Sequence, residues 1–118
     1  MNDDTTISPL HQPGSILDPL TEIAREGAGQ MLAAALKAEA ASFVAQFNDD
    51  LLPDGRQRVV HHGTGPERTI QTGIGPLAVR RHKVRDRAAV EAEKRIRFTS
   101  NILPRWAREA LARQQGFE

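Results

Sequence analysis

Within the eighteen residues from Arg80 to Arg97 stand eight basic side chains, Arg80, Arg81, Lys83, Arg85, Arg87, Lys94, Arg95 and Arg97, against only Asp86, Glu91 and Glu93. Guanidinium and ammonium groups stay protonated at neutral pH, so a run of them binds rather than catalyses. Placed on phosphates, each releases condensed counterions, which makes the run a candidate surface for a polyanion such as duplex DNA; a solvated basic face is the alternative. The other reactive side chains lack the arrangement their chemistry needs. His61, His62 and His82 would have to converge to hold a metal, but adjacent histidines on a strand point to opposite faces, and no carboxylate has ligand spacing to them. Ser8, Ser15, Ser42 and Ser100 have no nucleophile-elbow context. Gly63-Thr64-Gly65 and Gly73-Ile74-Gly75 lack a third glycine and a following helix or Lys-Ser/Thr, so they read as turns and not as phosphate loops. The chain has no cysteine, which removes thiolate catalysis, disulfides and Cys-type metal sites together.

The elements that must position the basic run come from 118 residues, one domain by length. Hydrophobic residues make up 39%, but sixteen of them are alanine and only five are aromatic. That is a thin core, and it predicts an open, partner-dependent structure. The net charge of +1 hides a division at Gly55: residues 1–55 carry two basic and nine acidic side chains, residues 56–118 fourteen basic and six acidic. The acidic N-terminus is unlike a signal peptide, and the longest apolar run, Met31 to Leu36, is far short of the roughly 20 residues of a membrane span. A soluble cytoplasmic protein with no membrane partner is the expectation.

Residues 1–17, with Pro9, Pro13 and Gly14 and no periodicity, read as a disordered lead-in. Asp18 is a candidate N-cap, Pro19 suits the first helical position, and an Ala-rich amphipathic helix is expected over 18–48. Its stripe runs through Leu20, Ile23, Ala24, Gly27 and Met31 and continues through Leu32, Leu36, Phe43 and Phe47, predicting either burial within the chain or pairing with another helix. Pro53-Asp54-Gly55 breaks the helix, and the period then falls from 3.6 to 2. A basic β-ribbon is expected over 56–87: a short strand at Arg58 to His62, then Glu67 to Ile74 and Leu77 to Val84 joined at Gly75-Pro76. That turn would pair Ile74 with Leu77, Thr72 with Val79 and Ile70 with Arg81, with Arg80 and His82 on the charged face. Residues 88–118 form a charged linker, loop or short exposed helix, followed by a short C-terminal helix capped by Ser100 or Asn101 and ending at Gly116. The fold class is α+β: long N-terminal helix, basic hairpin or small antiparallel sheet, short C-terminal helix.

Several separated segments of the basic half share one resemblance: Leu52-Pro53-Asp54-Gly55-Arg56 to Val60, Gly65-Pro66-Glu67-Arg68 to Pro76, Val79-Arg80-Arg81, Lys83-Val84-Arg85-Asp86-Arg87, and Ile96-Arg97-Phe98-Thr99-Ser100-Asn101-Ile102-Leu103-Pro104-Arg105-Trp106. In order and spacing they resemble the N-terminal region of Mutator-type transposases of bacterial insertion sequences, and the Asp18-Pro19-Leu20-Thr21 opening of the Ala-rich helix looks like that family's first segment. The resemblance spans roughly residues 10–108. It implies a DNA transposase whose ribonuclease H-like domain, with two Asp and one Glu for two-metal phosphoryl transfer, lies beyond the match. Residues 109–118 leave the family's pattern, as a truncated or frameshifted element would read. None of Asp49, Asp50, Asp54 and Asp86 is therefore expected to be catalytic; no cofactor is expected in this chain, and Mg²⁺ belongs to the missing domain. The resemblance implies binding to the element's terminal inverted repeats through the eight basic residues from Arg80 to Arg97. The alternative is an interaction module that self-associates, or joins a full-length transposase, through residues 19–47 and touches DNA weakly.

Overall fold

The computed structural model describes residues 18–115; the expected lead-in over 1–17 and the stop at Gly116 lie outside them. Helix α1 (Pro19–Ala45) opens as its sequence predicts. The Asp18 carboxylate accepts from the Thr21 amide at 2.8 Å and from the Thr21 hydroxyl at 3.0 Å, which holds that carboxyl below its ordinary value. Pro19 stands in the first turn, where a missing N–H leaves nothing unbonded. The α-helix ends at Ala45, and hydrogen-bonded turns carry the chain to Asp49.

Four strands follow: β1 (Val59–Thr64), β2 (Arg68–Thr72), β3 (Gly75–Val79) and β4 (His82–Asp86). They form two antiparallel pairs, β2 with β3 and β1 with β4. The β2–β3 pair nests inside β1–β4, so the four strands are one long hairpin bent in the middle. The bend falls where Gly65-Pro66-Glu67 opposes Arg80-Arg81. Pro66 has no N–H for the ladder. The Gly65 amide donates to the Arg81 carbonyl at 2.9 Å, and the Arg80 guanidinium donates to the Gly65 carbonyl at 3.1 Å. The single strand expected from Leu77 to Val84 is thus two.

The expected hairpin register is corrected. Ile70 lies opposite Leu77, Thr72 opposite Gly75 and Arg68 opposite Val79; the turn passes through Gly73-Ile74, and Ile74 is exposed. The observed register sets Ile70 against Leu77, whereas the expected one set it against Arg81. Alternation is unchanged by a slip of this parity, so only the pairing energy chooses between them. The turn is closed by the Thr72 hydroxyl, which donates to the Gly75 carbonyl at 2.7 Å, and by Gly75 at φ 106°, a conformation a Cβ disfavours.

The core lies where the inner half of this hairpin meets both helices. Ile70, Leu77 and Val79 pack with Leu36 of α1 and with Leu103, Ala107 and Leu111, the last two on α2 (Arg105–Gln115); Leu32 packs against the edge. The α1 stripe is therefore split: its Leu36 face is buried inside the chain, and Phe43 stacks at 5.2 Å on Phe47 and at 5.1 Å on Phe98. Residues 88–104 are irregular apart from a 3₁₀ turn at Ala92–Lys94. Ser100 does not cap α2. Its hydroxyl accepts from the Ile102 and Leu103 amides in the preceding turn, and Glu39 of α1 takes the Ser100 hydroxyl at 2.7 Å and the Asn101 amide at 2.5 Å. That turn is fastened to α1 across more than sixty residues of chain.

Candidate nucleic-acid interface

Asp86, at the end of β4, sits 3% exposed and organises everything around the basic run. Its carboxylate accepts both arms of Arg58 at 2.8 Å, the Ile96 amide at 2.8 Å and the Ala88 amide at 3.0 Å. These donors, Arg58 foremost, hold the carboxyl far below the usual carboxylate range against the opposing effect of burial. The Asp86 carbonyl accepts from Arg95 at 2.9 Å. One residue therefore pins β1, through Arg58 beside Val59, to β4 and to the segment at Ile96. A catalytic role for Asp86 would need a free oxygen, and all its acceptor capacity is engaged.

The pinning divides the eight basic residues into two sets. Arg80, Arg87 and Arg95 bond backbone carbonyls: Arg80 that of Gly65, Arg87 that of Gln57, and Arg95 those of Asp86 and Val90. Lys94 lies 3.7 Å from Glu91 and outside the groove described next. The side chains of Arg81, Lys83, Arg85 and Arg97 make no hydrogen bond or ion pair among the described residues. All four line a groove of about 430 Å³ between β4 and the segment 95–98, with Arg95, His62 and His82 also on its walls. Lys83 and Arg85 alternate along β4 with Val84 and the buried Asp86, which also line the groove.

His82 is not on a shared charged face with Arg80, as the expected strand required; Arg80 lies in the bend. His82 instead meets His61 across the ribbon, Nδ1 to Nε2 at 3.0 Å. Burial, then the nearby charges of His61 and Lys37, lower its pKa below the ordinary 6.5. The hydrogen bond needs one ring to accept, so at least one imidazole is neutral. The ladder is irregular here: between His61 and Thr64 the register shifts, and Gly63 takes φ 76° to let the bulge form.

Among the described residues no three His, Cys, Asp or Glu side chains converge as metal ligands. No helix among them is long and apolar enough to cross a membrane. Sequence reading missed Arg58, which with Asp86 holds the groove's walls, and Glu39, which fastens the turn at Ser100 to α1. Both act on partners far along the chain, 28 and 61 residues away, where no local pattern marks them. Comparisons with known protein families, with curated proteins and with solved structures return no match.

Proposed function

We propose that this chain binds duplex DNA through the groove beside β4, as the DNA-binding N-terminal part of a Mutator-type transposase. The observation that carries the DNA reading is the division of the basic run. A solvated structural surface would spend its guanidinium groups on the protein, whereas Arg81, Lys83, Arg85 and Arg97 converge on one groove with no internal partner among the described residues. Long, flexible cations without partners bind phosphates strongly enough to position a duplex, and the sequence of that duplex would be read by few of them. The transposase assignment rests on the resemblance of the separated segments between Leu52 and Trp106 to that family. It assigns terminal inverted repeats as the DNA.

The test is a salt titration of duplex binding. Each phosphate neutralised contributes about −0.9 to the slope of log affinity against log salt. Changing Arg81, Lys83, Arg85 and Arg97 to alanine should therefore flatten the slope by up to about 3.6. Lys94→Ala, outside the groove, should leave it unchanged. Equal flattening by Lys94→Ala, or an unchanged slope in the fourfold variant, would remove the groove as the binding site. A preference for inverted-repeat over scrambled duplex would support the transposase assignment, and its absence would count against it.

A further inference from the structure

His61 and His82 take diagonal positions on one face of the outer ribbon, because His61 stands opposite Val84 and His82 comes two residues before it in β4. A regular ladder would set His82 opposite Gly63. The extra residue between His61 and Thr64 sets it opposite Thr64 instead, a bulge of the kind that sharpens local twist. The two rings close to 5.2 Å between centroids, with His82 Nδ1 3.0 Å from His61 Nε2. The other nitrogen of His82, Nε2, makes no hydrogen bond among the described residues. His82 lines the groove together with Arg81, Lys83 and Arg97.

Cations face His82 from several elements: Lys37 on α1, Arg80 and Arg81 in the bend, Lys83 beside it, Arg97 across the groove and Arg108 on α2. The carboxylates of Glu39, Glu67 and Asp86 line the cavities that meet at His82, with His62 as the further imidazole on the groove. Asp86 is already neutralised by Arg58, which leaves Glu39 and Glu67 against the six cations. In the free chain, burial and charge therefore both resist a proton on His82.

Resting on the DNA reading above, we propose that His82 is a further phosphate ligand of the groove, one that takes up a proton as the duplex binds, with His61 as its positioning acceptor. Phosphate oxygens reverse the sign of the local potential, and an opposite charge within about 4–6 Å favours the charged imidazole. The proton comes from solvent. A protonated ring carries two N–H groups. One, on Nδ1, donates to His61 Nε2, which stays neutral and accepts; the other, on Nε2, is left for a phosphate. Arg81 and Lys83 carry their charge whether or not a duplex is present, whereas His82 becomes a cation only beside the anion it binds.

With one proton linked to binding, duplex affinity at fixed salt should rise as pH is lowered from about 8 to about 5.5, by up to about tenfold per unit. The bound value stands above the free one, which lies below 6.5, so the gain is complete below the free value and is lost as pH rises through the bound one. His82→Gln should give a level profile. His82→Lys, its charge fixed, should bind at pH about 8 as tightly as the unmodified chain does at its acid end. His61→Leu, which removes the acceptor, should shrink the rise, and His61→Gln, whose amide oxygen accepts in its place, should restore it. An unchanged rise in His61→Leu would overturn the part given to His61. A level profile in the unmodified chain, or a rise that survives His82→Gln, would overturn the inference and leave the groove assignment, read from the salt slope at pH about 8, in place. Absence of duplex binding at every pH would overturn both.

Discussion

The inner and outer halves of the long hairpin share a strand pairing and differ in what holds them. In β2–β3, Ile70, Leu77 and Val79 turn one face into the space between α1 and α2. In β1–β4, only Val59 is fully buried among the strand's apolar side chains, and Asp86 with Arg58, Ala88 and Ile96 does the fastening. Apolar burial needs a covered face. A carboxylate network needs a few aimed donors, and it leaves β4 uncovered on the side where Lys83 and Arg85 stand. The chain has few large apolar residues, and its buried cluster lies under the half that does not carry the basic groove. A well-packed apolar pair could hold the outer half as firmly, so the network's contribution lies in fixing where the 95–98 segment runs.

The largest effect is expected from Asp86→Ala, which leaves Arg58 and two amides without their acceptor. Breaking a buried charge pair in this way costs about 3–5 kcal/mol, and hydrogen exchange should quicken in β1 and β4 ahead of β2 and β3. Equal acceleration in both halves would erase the distinction between them. The same comparison has a pH form. Because the folded carboxyl sits below the ordinary 3.8, its contribution is complete above that value and is lost as pH falls beneath it. His82, lowered below 6.5, adds a shallower loss as pH drops through 6.5, since the unfolded chain takes up that proton first. Asp86→Ala should abolish the steeper limb and retain the shallower one, which an acid titration of the unfolding midpoint would show.

Leu77→Ala should come next, at about 2–4 kcal/mol for a truncated core side chain, with the order of exchange reversed and the loss independent of pH between 3 and 7. A pH-dependent loss would mean that the two halves are held as one. The smallest effect belongs to the turn. Gly75→Ala places a Cβ at φ 106° and 3.4 Å from the Arg25 side chain, and about 1 kcal/mol is expected, read as a lowered denaturant midpoint with an unchanged slope. No change would show that the turn relaxes freely.

Much of the local structure was legible. Asp18 and Pro19 mark the helix start because capping is settled within four residues, and the strand at Val59 and Val60 shows in its alternation. The fold class followed from the same short-range patterns. The pairing of Ile70 was not legible, since registers differing by an even slip leave the same side chains on the same face. The bend at Gly65-Pro66-Glu67 was marked by its proline, yet the joining of β1 to β4 across the inner hairpin was not.

What the sequence determined by itself was the inventory: an Ala-rich helix with a long apolar stripe, an acidic half and a basic half, and strands of the right period. Those properties depend on neighbours in the chain. Only the tertiary structure decided which apolar face of α1 is spent, Leu36 inward and Met31 outward, and which cations are free, Arg81 and Arg97 but not Arg80 and Arg95. Chemically identical side chains were sorted by whether a carbonyl or carboxylate from a distant segment came within about 3 Å, and hydrogen bonds that short cannot be read from spacing along the chain.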